Sequence, residues 1–266
     1  MTSTRASQAA SSILLQEERA PGVIMLTLNR PNQYNALSEE MLAALQSTAD
    51  SIATRDDVKV LILAANGKAF CAGHDLKEMR TKPERHYYEE LFARCSRMML
   101  TLTRMPQIVI ARVQGMATAA GCQLVANADL AVASEEVRFA VSGVNLGLFC
   151  STPSVPLSRN VSRKRAFEML ATGEFISAPT AVEYGLINQA VPPEKLEQTA
   201  DQLALNIAAK PADTLRAGKA LFYRQLNLPL AEAYQVAGDT MACNMLFPDT
   251  LEGIDAFIEK RKPDWN

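Results

Sequence analysis

Apolar residues fall along this chain in two alternating rhythms. Residues 58–63 (VKVLIL), 108–113 and 130–133 are short, nearly unbroken apolar runs of the kind that form strands buried on both faces. Residues 13–17 and 23–28 predict two further strands joined through Ala20-Pro21-Gly22. Between these runs the period changes to that of a helix. Leu42, Leu45, Ala49 and Ile52 mark one face, after Ser38 as N-cap and Glu39 and Glu40 in the first turn. Leu91, Met98 and Leu102 lie on a later helix that ends before Pro106. Residues 64–70 are expected to be a loop with Asn66-Gly67 at its tip, and the small residues from Gly115 to Gly121 to open a helix. Beyond Pro153 the pattern is mainly helical, over residues 163–170, 178–184, 193–209, 212–226, 230–246 and 249–260. Strands alternating with helices imply an α/β fold with a mostly parallel sheet, followed by a helical C-terminal region.

The 266 residues suit one large unit, with a short disordered arm over 1–12, an α/β core over 13–195 and helices over 196–266. Hydrophobic residues at 48% and charged residues at 21% exclude a disordered chain, a collagen and a disulfide scaffold. No apolar run approaches the length of a membrane-spanning helix, so no membrane partner is expected. The net charge of −2 argues against nucleic acid as a partner. Five cysteines without a CxxC pair point to reduced thiols in the cytoplasm. With His74 and His86 the only histidines, a His-rich metal site is excluded. The arm lacks the apolar core of a secretory signal and carries a single arginine, too few for a transit peptide.

Two segments are candidates for chemistry. Each follows a predicted strand, opens a helix and lacks bulk: 69–79 (AFCAGHDLKEM) and 115–124 (GMATAAGCQL). Main-chain N–H groups at a helix start are free to donate and lie at the positive end of its dipole. Two such turns side by side would hold one carbonyl oxygen between two N–H donors, as an oxyanion hole does. Close packing of helix on strand also needs small residues, so each segment alone has a purely structural explanation.

These segments, in order with Leu28-Asn29-Arg30-Pro31, Asn35-Ala36-Leu37, Asp129, Leu170-Ala171-Thr172-Gly173, Ile176-Ser177-Ala178, 181–186 (AVEYGL) and 256–263 (AFIEKRKP), resemble the crotonase (enoyl-CoA hydratase/isomerase) superfamily over nearly the whole chain. The resemblance implies a spiral of ββα repeats with a helical C-terminal trimerisation region, assembled as a homotrimer or a dimer of trimers. It implies an acyl-CoA thioester as ligand, coenzyme A entering as part of the substrate rather than as a cofactor. By residue matching, the backbone N–H groups of His74 and Ala120 are the oxyanion donors. Ala36, Ala72 and Lys77 line the CoA channel, while Phe257 and Lys260 match positions that touch CoA from a neighbouring subunit. A mitochondrial matrix location would apply were the source a eukaryote.

The sequence departs from the hydratase pattern where proton transfer is done. The two glutamate positions hold Gln123 and Gly143, and a third acidic position, used by dienoyl-CoA isomerases, holds Ser151. A glutamate titrates near pH 4.3 and serves as a base at neutral pH, whereas an amide cannot accept a proton there. Gln123 can still orient a water or a carbonyl. Ordinary hydratase activity is therefore expected to be very weak or absent. Cys150 and Ser151, on a loop expected to face the thioester, are the remaining candidates, with the His74 side chain as the available imidazole. Residues 143–153 together with 119–123 also resemble the enoyl-CoA hydratase domain-containing protein 3 subgroup, from which no reaction transfers. Two readings stay open: an enzyme that stabilises a thioester enolate or a tetrahedral intermediate, or an acyl-CoA binder or scaffold without chemistry.

Overall fold

A computed structural model describes residues 12–265; the expected arm lies, apart from Ser12, outside the described residues. The chain winds as successive ββα units. The long strands β1 (Leu14–Ala20), β2 (Val23–Leu28), β3 (Val60–Ala65), β5 (Ile108–Val113), β7 (Leu130–Ser134) and β10 (Gln189–Val191) form a sheet of order β1-β2-β3-β5-β7-β10. Only β1 and β2 pair antiparallel in it. After each of β3, β5 and β7 the chain makes a very short strand, β4 (Ala69–Cys71), β6 (Met116–Thr118) or β8 (Arg138–Ala140). These three pair with one another, and with β9 (Ile176–Ser177), in a second sheet of order β4-β6-β8-β9.

The second sheet corrects two expectations. Residues 64–70 are not one loop: β3 runs on through Ala65, and β4 begins at Ala69. The small residues from Gly115 do not open a helix directly, because Met116–Thr118 is a strand and the helix α4 (Ala120–Asn127) starts after Ala119. Strands of two or three residues are too short to show a period of two, so the sequence pattern conceals them.

The reason β2 and β3 are unbroken apolar runs is visible in their packing. Ile24, Leu26, Leu61 and Leu63 face the main core. There they meet α1 (Glu39–Ala53) and α3 (Arg85–Arg104), which present Leu42, Leu45, Ile52, Met98 and Leu102. Val23, Met25, Val60 and Ile62 face the other way, onto Ala204 of α8 (Leu196–Ala208), with Leu203 and Ile207 beside it. The first helix of the C-terminal region thus covers the open face of the sheet.

The other helices are α2 (Leu76–Thr81), α5 (Ser151–Asn160), α6 (Arg163–Thr172), α7 (Ala178–Tyr184), α9 (Ala212–Gln225), α10 (Leu230–Asn244) and α11 (Pro248–Glu259). Helix α5 contains Pro153 and Pro156 and has no strong sequence signature; Pro153 sits in the first turn, where a missing N–H costs nothing. Helix α9 is pinned to the core by Lys219, which is buried. Its Nζ donates to Leu102 O (3.0 Å) and Gln107 O (2.7 Å) and pairs with Asp129 Oδ2 at 2.6 Å. Asp129 also accepts from Tyr223 Oη (2.6 Å) and Val109 N (2.7 Å). Burial pulls the Lys219 pKa down and Asp129 opposes that pull; the filled hydrogen-bonding capacity is what makes a buried ion tolerable.

Candidate functional site

The ends of β4 and β6 lie side by side, with Ala69 opposite Met116 and Cys71 opposite Ala117. After β4, Gly73 takes a left-handed backbone at φ +94°. Leu37 then grips the turn: its N–H donates to Gly73 O (2.8 Å) and its C=O accepts from Asp75 N (3.2 Å), a parallel bridge centred on His74. In such a bridge the middle residue's own N–H and C=O point to the opposite side. Asp75 caps α2, accepting from Lys77 N (3.2 Å) and Glu78 N (3.3 Å), and takes a bond from Arg30 Nη2 at 3.4 Å. The loop that carries Ala36 is fixed by the buried Asn35, whose amide donates to Asn66 O and Ala69 O, both at 2.8 Å.

After β6, Ala119 donates its N–H to Ala140 O at 3.0 Å and turns at φ 49° into α4. Ala120 is the first residue of that helix, where an N–H has no intrahelical acceptor. Among the described residues neither His74 N nor Ala120 N has a hydrogen-bond acceptor. The two turns touch. A Cβ at Gly73 would stand 3.0 Å from Ala119 Cβ and 3.3 Å from Ala120 N, and Thr118 Oγ1 donates to Ala72 O at 3.1 Å.

His74, Ala72, Ala119 and Ala120 line one side of a cavity of about 180 Å³. Leu76, Met79, Phe92, Leu146, Leu148 and Phe149 give it apolar walls, and Gly143, Cys150 and Ser151 line it as well. Both helices α4 and α5 begin at this cavity, so the positive ends of two dipoles meet there. The His74 ring lies edge-on to Phe92, ring centroids 5.4 Å apart, and burial holds its pKa below the ordinary value. The Leu37 main chain pulls the other way, but burial of the ring outweighs it, so the neutral form is the one this setting supports at neutral pH.

The structure treats the three acid positions differently. Gln123 is buried, its Oε1 has no partner, and it is not among the residues lining the cavity. Its expected part in orienting a ligand thus finds no support in its placement. Gly143 does line the cavity, but its backbone is used up locally: its N–H donates to Cys150 Sγ (3.3 Å) and its C=O accepts from Leu148 N (3.0 Å). A Cβ there would fall 2.4 Å from Leu148 O and 2.8 Å from Cys150 Sγ, so position 143 has no room for any side chain. Ser151 is exposed at the start of α5 and donates Oγ to Phe149 O at 3.3 Å. Cys150 is only 6% exposed, and burial raises its thiol pKa, partly opposed by the Gly143 N–H.

Ala36, Ala72 and Lys77 come together around the His74 turn, Lys77 exposed on the first turn of α2. Phe257, 84% exposed, and Lys260 stand at the end of α11 and do not line the cavity within one chain. His86 is exposed on α3 and pairs with Glu90. Glu78, another possible acid, accepts from Glu39 N (2.9 Å) at the start of α1. Sequence reasoning passed over Ala119 and the Leu146–Phe149 wall. Three large apolar residues in one glycine-bearing loop were a signal for the wall; an alanine beside another alanine gives none for a left-handed turn.

Residues 18–266 match the enoyl-CoA hydratase/isomerase family. The rat enoyl-CoA hydratase domain-containing protein 3, mitochondrial, is 46% identical over 253 residues, covering 95% of this chain and 84% of the relative. A crystal structure of enoyl-CoA hydratase from Mycobacterium smegmatis superposes with a TM-score of 0.95 at 58% identity, covering 96% of this chain and 99% of that one. The human enoyl-CoA hydratase domain-containing protein 3 superposes with a TM-score of 0.93 at 44% identity, covering 96% of this chain and all 100% of that one. The crotonase-type spiral, the two donor turns and these likenesses together place the chain in the enoyl-CoA hydratase/isomerase family.

Proposed function

We propose that this protein binds an acyl-CoA thioester with its carbonyl oxygen between the N–H groups of His74 and Ala120. That pair of unaccepted main-chain donors at one cavity is the observation that carries the reading. Charge developing on the oxygen as an enolate or tetrahedral intermediate forms is stabilised there, and the loss of one such donor costs about 2.7–4 kcal/mol of transition-state stabilisation. The apolar walls of Leu76, Met79, Phe92, Leu146, Leu148 and Phe149 suit an acyl chain. The protein acts on acyl-CoA or fatty acid intermediates as an enzyme of lyase or isomerase type, with coenzyme A entering as part of the substrate and no separate cofactor.

Water addition is not the favoured reaction. It needs groups that take a proton from water and return one to the α-carbon. The acid positions are a buried amide, a glycine without side-chain space and an exposed serine. The same closure favours a second reading, an acyl-CoA binder or scaffold without turnover. A homotrimer or dimer of trimers would cover the large apolar side chains left exposed on α10 and α11, among them Leu230, Tyr234, Phe257 and Ile258, and would bring Phe257 and Lys260 to a neighbour's CoA. The five free cysteines fit a reducing setting, the cytoplasm in this reading.

A panel of acyl-CoA esters, followed by calorimetry and product analysis, tests the proposal. Binding with turnover of a non-hydratase substrate supports the enzyme; binding without turnover across the panel supports the scaffold. No binding of any ester overturns both. With crotonyl-CoA, the conjugated enoyl absorbance is expected to persist, and its loss at the rate of an ordinary hydratase would overturn the reading of the acid positions.

A further inference from the structure

Ala119 holds φ 49° and ψ −119°, a backbone conformation that glycine adopts freely and an L-residue with a Cβ does not. The surroundings hold it there. Its N–H donates to Ala140 O and its C=O accepts from Gln123 N, both at 3.0 Å, and the neighbouring Thr118 hydroxyl is tied to Ala72 O. A strained residue fixed by its neighbours at a site is the pattern that points to a role for the strain. Glycine would give the same turn and the same Ala120 donor without it. What alanine adds is a methyl group, on a residue that lines the cavity.

Its position is specific. The methyl carbon is three covalent bonds from Ala120 N and packs against Gly73, the residue before the other donor. It therefore stands close to one proposed donor and against the turn that carries the other. Resting on the acyl-CoA reading above, we infer that the Ala119 methyl sets specificity at this site: it admits thioesters with an unsubstituted α-carbon and rejects those bearing an α-methyl branch.

The test compares the intact wild-type protein with Ala119→Gly, titrating butyryl-CoA and 2-methylbutyryl-CoA by calorimetry. The wild type is expected to bind the branched ester about tenfold more weakly, the scale of one methyl-sized mismatch in an apolar pocket. In the variant the two affinities converge. The ligand-free variant also melts about 2–4 °C higher, because the strain is released. Equal discrimination in both proteins overturns the inference while leaving the acyl-CoA reading intact, and a lowered melting midpoint overturns the strain on which it rests. If the wild type binds neither these two esters nor any other of the panel, the acyl-CoA reading falls and this inference with it; if it binds others but neither of these, the inference alone falls.

Discussion

Two stretches of the cavity lining contrast, a donor end and a closed end. In the first, Gly73 and Ala119 both adopt left-handed turns, and each is followed by an N–H without an acceptor among the described residues. In the second, Gly143 has its N–H and its C=O both taken within its own loop, by Cys150 Sγ and Leu148 N. The first leaves main-chain donors free and accepts backbone strain; the second ties up the main chain of Gly143 beside the apolar Leu146, Leu148 and Phe149. The difference separates two capacities that hydration needs together. Stabilising negative charge on a carbonyl oxygen requires only main-chain geometry; moving protons requires side chains with room to stand. In the function proposed above, this molecule has the first and lacks the second.

The largest effect is expected where the donor end rests on bare backbone contact. A Cβ at Gly121 would lie 1.9 Å from Cys71 O and 2.6 Å from its carbonyl carbon, because α4 is laid directly on β4. Neither partner is a flexible side chain, so relief requires the helix to move. Gly121→Ala should cost about 3 kcal/mol or more, the upper range for overpacking. The readout is the urea midpoint, together with the yield of soluble protein. A variant as stable as the wild type would mean that α4 and β4 do not fix the Ala120 donor, and the rigid half of the comparison would fail.

The next prediction attacks the closed end. Gln123→Glu alone supplies one carboxylate and leaves position 143 empty, so crotonyl-CoA hydration is not expected to appear. Gln123→Glu with Gly143→Glu supplies both in name. Yet the second side chain has Leu148 O and Cys150 Sγ in its path, so the loop must open to admit it. The double variant should lose about 1–3 kcal/mol of stability. Its hydration rate should stay short of an ordinary hydratase by the factor of about 10²–10⁴ that acid–base catalysis supplies. Robust hydration by either variant, measured as loss of the enoyl absorbance, would show that the closed end is only a missing residue and not a rebuilt loop.

How much of this was legible in the sequence follows from the range of each signal. The long strands and nearly all helices announce themselves by period: β5 occupies the residues the pattern predicts, and Ser38 does cap α1. The second sheet was not legible, since Ala69–Cys71, Met116–Thr118 and Arg138–Ala140 are shorter than any period can reveal. Helix α5 was hidden by its two prolines. At the site, the family resemblance marks 123, 143 and 151 as acid positions, and the residue types there show that carboxylates are missing. That Gln123 stands off the cavity and that Gly143 has no room beside it were not readable. They depend on how Leu148 and Cys150 fold back, which is a fact of tertiary packing.

The smallest expected effect concerns what stands in the place of the missing acid. Cys150 Sγ occupies the space a side chain at 143 would need, and a thiol there invites the thought that it replaces the carboxylate as base or nucleophile. Its surroundings argue otherwise. Burial raises its pKa, so at neutral pH it is held as the thiol, and the Gly143 N–H that favours the thiolate opposes this only in part. The reactive form is the thiolate, so iodoacetamide should modify Cys150 severalfold more slowly than the exposed Cys243 at pH 7.5. Its rate should begin to climb only at a pH above that of an ordinary cysteine. Peptide mass mapping at several pH values reads both residues in one experiment. Cys150 reacting faster than Cys243 at neutral pH would make it an activated thiol and turn the closed end of the cavity into a second chemical centre. The slow reaction is what a packing group produces, and with it the proposed chemistry rests on the two main-chain donors alone.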